Sequence, residues 1–172
     1  MAKARRQSAN LWVIRHAKSS WADPGQADFD RPLNLRGIKD GKRLIHWMGK
    51  QKQRPQWIVA SDAARTRATA EFVRSGYGIP VEQLQLDHRI YEASAQTLLE
   101  VLRGVADDRP SVALVGHNPG STEFVNAMVG EGVVDDLPTF GFVLLNVAAP
   151  WSQAQFGCAR FVELHTPKSL DN

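Results

Sequence analysis

Residues 11–21 read LWVIRHAKSSW, and the fold turns on how the first four of them are read. Residues 11–14 are a continuous apolar run, short enough for a buried strand and too short for a helix. The run ends on Arg15 and His16, then breaks into small and polar residues. Two later runs have the same shape, WIVAS at 57–61 and SVALVG at 111–116. Between the first two, Leu35, Ile38, Leu44, Ile45 and Met48 recur at nearly helical spacing, which predicts an amphipathic helix to about Gly49. Residues 62–75 read as a helix before the breaker at 76–80, and 84–90 admit either a short strand or an extended loop. Leu98, Leu99, Leu102 and Val105 make one helical face. A further helix begins in NPGSTEF, with Asn118 as N-cap and Pro119 at the first helical position, where a missing N–H does no harm. FVLLNV (142–147) and ARFVEL (159–164) close the chain as a hairpin or a pair of edge strands. This alternation predicts an α/β protein, a three-layer αβα sandwich around a mostly parallel central sheet.

Composition narrows the rest. At 172 residues the chain is expected to be one domain over 10–166, with flexible tails at 1–9 and 167–172. Hydrophobic content of 43% and charged content of 23% are ordinary for a globular protein. The net charge of +3 lies in the first nine residues, where Lys3, Arg5 and Arg6 meet no acid; the remainder balances 18 bases against 18 acids. Nucleic-acid binding, which wants a basic face on the folded body, is therefore not expected. A single cysteine, Cys158, excludes an intramolecular disulfide and a zinc site built on thiolates. No apolar run approaches the ~20 residues of a membrane span. The run after the basic N-terminus is also too short for a secretory signal, so a cytoplasmic protein is expected. The five histidines show no HxH or HExxH spacing, which argues against a metal site, and GHNPGST lacks the lysine of a phosphate-binding P-loop.

The unusual residues fall at the ends of the apolar runs. His16 follows the first, Arg65 the second, and His117 the third. In open α/β sheets, ligands collect outside the carboxyl ends of the strands. If the three runs are parallel neighbours, Arg15, His16, Arg65 and His117 converge on one crevice. Two arginines and two histidines without an obvious carboxylate partner make an anion pocket, and the guanidinium fork fits a phosphate bidentately. Helix N-termini at Asp62 and Asn118 would add backbone donors. A tetrahedral, multiply charged ligand is implied, with a phosphoryl group the first choice.

Four segments in this order, VIRHAKSSW, RPLNLRG, SDAARTRATA and VGHNPGSTE, resemble the histidine phosphatase superfamily, and in particular its small SixA-type phosphohistidine phosphatases. The late LPTFGFVLL is similar too. The resemblance implies a phosphoglycerate mutase-like fold and a metal-independent phosphatase without cofactor. It implies that His16 is the nucleophile that becomes phosphorylated, with Arg15, Arg65 and His117 around the phosphoryl group. Transfer to His16 and then attack by water would complete the reaction. Ser19 would donate to the phosphate or merely shape the turn. Asn118 would cap its helix and lean toward the site, and Lys18 would attract an anionic substrate or stay a flexible surface charge. His46 and His165 read as structural or surface residues.

One departure bears on substrate. In LDHRIYEA (86–93), His88 stands where ester-cleaving members carry a glutamate acid, in a stretch resembling L-x-E-R-x-Y. Either His88 supplies the proton, or no strong acid is required. The second choice suits a phosphoramidate, whose imidazole leaves more readily than an alkoxide. The substrate expected is phosphohistidine on a protein. The alternatives are a broad-specificity phosphomonoesterase acting on a small phosphorylated molecule and a non-catalytic phosphate-binding module.

Overall fold

In the computed structural model, which describes residues 8–148 and 150–170, the apolar runs become one six-stranded sheet. The strands are β1 (Ala9–Arg15), β2 (Trp57–Ala60), β3 (Leu84–Leu86), β4 (Ser111–Gly116), β5 (Phe142–Val147) and β6 (Ala159–His165), in the order β3-β2-β4-β1-β5-β6. β3, β2, β4 and β1 run parallel, while β5 is antiparallel to both its neighbours. β5 is therefore an interior strand and only β6 of the closing hairpin is an edge.

The continuous apolar runs are explained by cover on both faces. Leu11 and Val13 of β1, Val112 and Leu114 of β4 and Val143 and Leu145 of β5 face one core. That core is closed by α3 (Ala95–Arg103) and α4 (Gly120–Val129), through Leu98, Leu102, Phe124 and Met128. The intervening residues Trp12, Ile14, Ala113, Val115, Phe142 and Leu144 face a second core under α1 (Leu35–Met48) and α2 (Ala64–Tyr77), through Leu44, Met48 and Val73. The result is the expected three-layer αβα sandwich. Among the described residues no helix is long and apolar enough to cross a membrane.

Register sets the functional edge. Arg15 pairs with Gly116 and Ala60 with Val115, so β1, β4 and β2 finish level and release His16, His117 and Ser61 side by side. Three details differ from the sequence reading. α2 starts at Ala64 rather than Asp62, because Asp62 turns its carboxylate to His88 and Ala63 takes the extended cap position. α4 starts at Gly120, and Pro119 rather than Asn118 holds the cap position. Asn118 Oδ1 still accepts from the Thr122 N–H at 3.2 Å, but its amide nitrogen is drawn to Asp136 and the Leu137 carbonyl. Residues 84–90 are both things at once, strand β3 and then a 3-10 turn at His88–Ile90 that Asp87 caps. Of the two tails, residues 1–7 and 171–172 lie outside the described residues; β1 begins at Ala9, and Arg43 donates to the Pro167 carbonyl at 2.6 Å.

Candidate active site

His16 is held by the sheet itself. Its N–H donates to Gly116 O at 3.1 Å and its carbonyl accepts from Phe140 N at 3.0 Å, which continues the ladder on both sides of β1. The ring is fixed as well: Nδ1 lies 2.7 Å from the Ala17 carbonyl. A carbonyl only accepts, so Nδ1 carries the proton and Nε2 keeps its lone pair. Burial pushes the pKa of His16 down to about 4; the Ala17 bond opposes this, and Arg65, Arg15 and Arg31 lower it further. The imidazole is thus neutral and oriented amid three guanidiniums. The loop that follows is pinned by Thr69, whose Oγ1 accepts from Ala17 N at 2.9 Å.

The cationic wall is organised by a carboxylate, against the expectation that the arginines have none. Asp28 lies in a 3-10 turn of the long loop after β1. It accepts from Arg65 at 3.0 Å through Oδ2 and at 2.7 Å through its main-chain carbonyl, and from Arg31 at 2.9 Å through Oδ1. Tyr91 donates its hydroxyl to Oδ2 at 2.6 Å. These bonds, with Tyr91 the foremost, hold Asp28 well below the usual carboxylate range, and Tyr91 is pushed up to about 12 by giving its proton to that carboxylate. Arg31 also donates to Ser19 Oγ and Ser20 O. Arg15 donates to Leu137 O at 2.8 Å. The Nε–H groups of both Arg15 and Arg65 are buried with no acceptor among the described residues. Buried donors of that kind call for an acceptor from outside, and an oxyanion supplies it.

His117 lies beside His16, with its ring centroid 5.4 Å from that of His16 and 5.4 Å from that of Tyr91. Its Nε2 is 2.8 Å from Ser61 Oγ, and its buried Nδ1 has no partner among the described residues. Burial lowers its pKa to about 3, helped by His16 and Arg65 and opposed by Asp28. Arg15, His16, Ser19 and Arg65 share one cleft of about 520 Å³ with Lys18 and Arg31. His117, Asn118 and His88 do not line it. Asn118 reaches it at one remove, since Leu137 O accepts from both Asn118 and Arg15. His88 is exposed; its Nδ1 lies 2.9 Å from Asp62 Oδ1, and its ring is 5.9 Å from Tyr91. His46 is exposed, and His165 packs on Trp47 and Phe142.

Sequence reading missed Asp28, Arg31 and Tyr91. Arg31 and Tyr91 were visible inside RPLNLRG and LDHRIYEA, but no spacing rule ties either to Asp28. Their association is made only by the fold of the loop after β1.

A model of the histidine phosphatase superfamily (branch 1) matches residues 11–117. An uncharacterized protein of Mycobacterium tuberculosis is 32% identical over 164 residues, 90% of this chain and the whole of that one. SixA from Agrobacterium tumefaciens superposes with a TM-score of 0.78 at 29% identity, covering 92% of this chain and 98% of that one. The protein histidine phosphatase SixA in complex with tungstate gives 0.80 at 18% identity over 94% and 99% of the two chains. A mycobacterial glucosyl-3-phosphoglycerate phosphatase gives 0.64 at 17% identity over 90% and 97%. At those two identities the likeness speaks for the fold alone. With the three-strand crevice, the Arg15-His16 pair and the family match over most of its length, this chain belongs to the histidine phosphatase superfamily.

Proposed function

We propose that this protein is a phosphatase that works through a phosphohistidine intermediate on His16 and removes phosphate from phosphohistidine on a protein. One observation carries the reading: a buried imidazole whose proton is fixed on Nδ1 presents Nε2 to a cleft walled by Arg15, Arg31 and Arg65. In the first displacement Nε2 attacks phosphorus and the P–N bond of the substrate breaks. The departing imidazole leaves with its ring protonated. The arginines take up charge spreading over the equatorial oxygens, aided by the unpartnered Nε–H groups of Arg15 and Arg65. Water then attacks phospho-His16, which releases inorganic phosphate and restores the imidazole. No step asks for a metal, because the guanidiniums supply the positive charge. His117 lies near enough to face the same phosphoryl group, and Ser61 sets its ring.

Support for phosphohistidine comes from the likeness to SixA and from the wide cleft, open to a protein side chain. A second reading, hydrolysis of small phosphate esters, is favoured by the Asp62–His88 pair, since a histidine held by a carboxylate can protonate an alkoxide. Hydrolysis of a phosphohistidine peptide and of para-nitrophenyl phosphate, both with chelator present, separates the two. The peptide is expected to win in kcat/KM, and a large margin for the ester would overturn the phosphohistidine assignment. Rapid quenching in base is expected to trap acid-labile phosphate on wild type and none on His16→Ala. A non-catalytic binding module would show neither label nor turnover.

A further inference from the structure

α1 carries four cations, Arg36, Lys39, Lys42 and Arg43, against one acid, Asp40. Arg36 and Arg43 flank Asp40, with nitrogens 3.3 and 3.9 Å from its buried carboxylate. Lys39 and Lys42 take part in no ion pair among the described residues. These lysines border an open groove of about 650 Å³ with Leu35, Ile38, Arg43 and His46, and among the described residues no carboxylate lines it. Leu35 is 86% exposed. A lone exposed leucine needs no explanation; one set among unpaired lysines in a groove does.

The groove adjoins the catalytic cleft. Asn34 caps α1 and also lines the cleft, and its N–H donates to Lys18 O at 3.0 Å. A Cβ at Gly37 would fall 2.3 Å from Lys18 O, so the first turn of α1 rests directly on the loop two residues beyond His16. Trp21, 77% exposed, stands in the cleft wall with its ring 3.3 Å from the Arg31 guanidinium carbon. Asn34 of the cleft and Leu35 of the groove are thus chain neighbours, which sets the two side by side.

We infer that this face docks the protein that delivers the phosphoryl group, through a surface of that protein combining carboxylates with apolar side chains. Leu35 and Ile38 take the apolar contacts, while Lys39 and Lys42 meet the carboxylates. The inference rests on the reading of His16 given above. A second copy of this chain fits less well, because a two-fold contact through this patch would set lysines against lysines. A nucleic acid would want more cations and stacking aromatics than a half-apolar groove offers.

Three substrates test it: free phosphohistidine, a helical histidine-phosphorylated peptide bearing glutamates and leucines, and the same peptide with glutamines for the glutamates. Wild type is expected to show a lower KM for the acidic peptide, with the difference closing at high salt. The double variant Lys39→Glu/Lys42→Glu is expected to raise that KM roughly tenfold at unchanged kcat. Its kinetics on free phosphohistidine should match wild type. Equal KM values for the two peptides, or an equal loss on free phosphohistidine, would overturn the docking surface. So would a concentration-dependent dimer that Leu35→Asp abolishes, since the face would then serve self-association. Turnover of free phosphohistidine without charge discrimination removes only the docking surface. No turnover of any phosphohistidine compound removes the reading of His16 and this inference together.

Discussion

Asp28 is bound to Arg65 twice, once through carboxylate Oδ2 at 3.0 Å and once through its main-chain carbonyl at 2.7 Å. The remaining carboxylate oxygen takes Arg31, and Tyr91 shares Oδ2. One half-buried loop residue thus fixes two of the three guanidiniums around His16. Asp28→Asn keeps the shape and weakens the bonds made through the carboxylate, while the main-chain carbonyl still accepts from Arg65. It is expected to cut kcat/KM by about 10–100-fold, the scale of a misplaced catalytic group. Tyr91→Phe removes one donor and leaves both arginines anchored, so its loss should be smaller. Steady-state kinetics with a denaturation midpoint for each variant check the order; a Tyr91→Phe enzyme worse than Asp28→Asn would contradict it.

The acid limb of activity follows from His16. Its pKa in the folded protein is about 4, below the ordinary 6.5, so Nε2 keeps its lone pair well under neutral pH. kcat/KM is expected to hold through pH 6 and to fall only as pH approaches 4–5, once ionisation of the substrate is allowed for. A substrate-independent limb near 6.5 would show that His16 is not held neutral.

The same depression acts on stability. Between pH 6.5 and 4 the unfolded chain binds a proton at His16 that the native state refuses, so stability is lost as pH falls through that window. The difference corresponds to about 3 kcal/mol from this residue. His16→Ala should flatten the slope of unfolding free energy against pH in that range, read from urea midpoints. An unchanged slope would mean that His16 does not contribute.

Gly37 is required by contact rather than by conformation. A side chain there would strike the Lys18 carbonyl, which is backbone and cannot step aside. Gly37→Ala is expected to cost about 1–3 kcal/mol and to lower activity as well, because the displaced segment carries the nucleophile. Stability at wild-type level would show that α1 can shift without disturbing the loop.

Under the ester-hydrolysis reading, His88 is the proton donor to the leaving group. Removing its imidazole with His88→Gln should reduce hydrolysis of alkyl phosphates by about 10²-fold or more while sparing phosphohistidine, whose leaving group needs less help. Equal losses on both would give His88 a structural part, through its contacts with Phe29 and Tyr91.

The sheet was legible because its runs 11–15, 57–61 and 111–116 are apolar on both faces, a pattern only buried strands carry. Arg15, His16, Arg65 and His117 could be picked out because each stands at the end of such a run or just beyond it, and the fold does bring them to one edge. Local signals failed where a side chain had a distant partner. Asn118 has the chemistry of an N-cap, yet its amide reaches the loop at 136–137. Asp62 has the chemistry of a helix start, yet it turns to His88. Asp28 left no trace at all, since its three partners lie 3, 37 and 63 residues away.

The hydrogen bonds on either side of His16 belong to the ladder that joins β1 to β4 and β5. The backbone of His16 therefore cannot loosen while the centre of the sheet stays intact. Its ordering entropy is charged to folding and not to turnover. In urea, activity and the sheet signal should then vanish at one midpoint, whereas an enzyme with its nucleophile on a mobile loop goes silent before it unfolds.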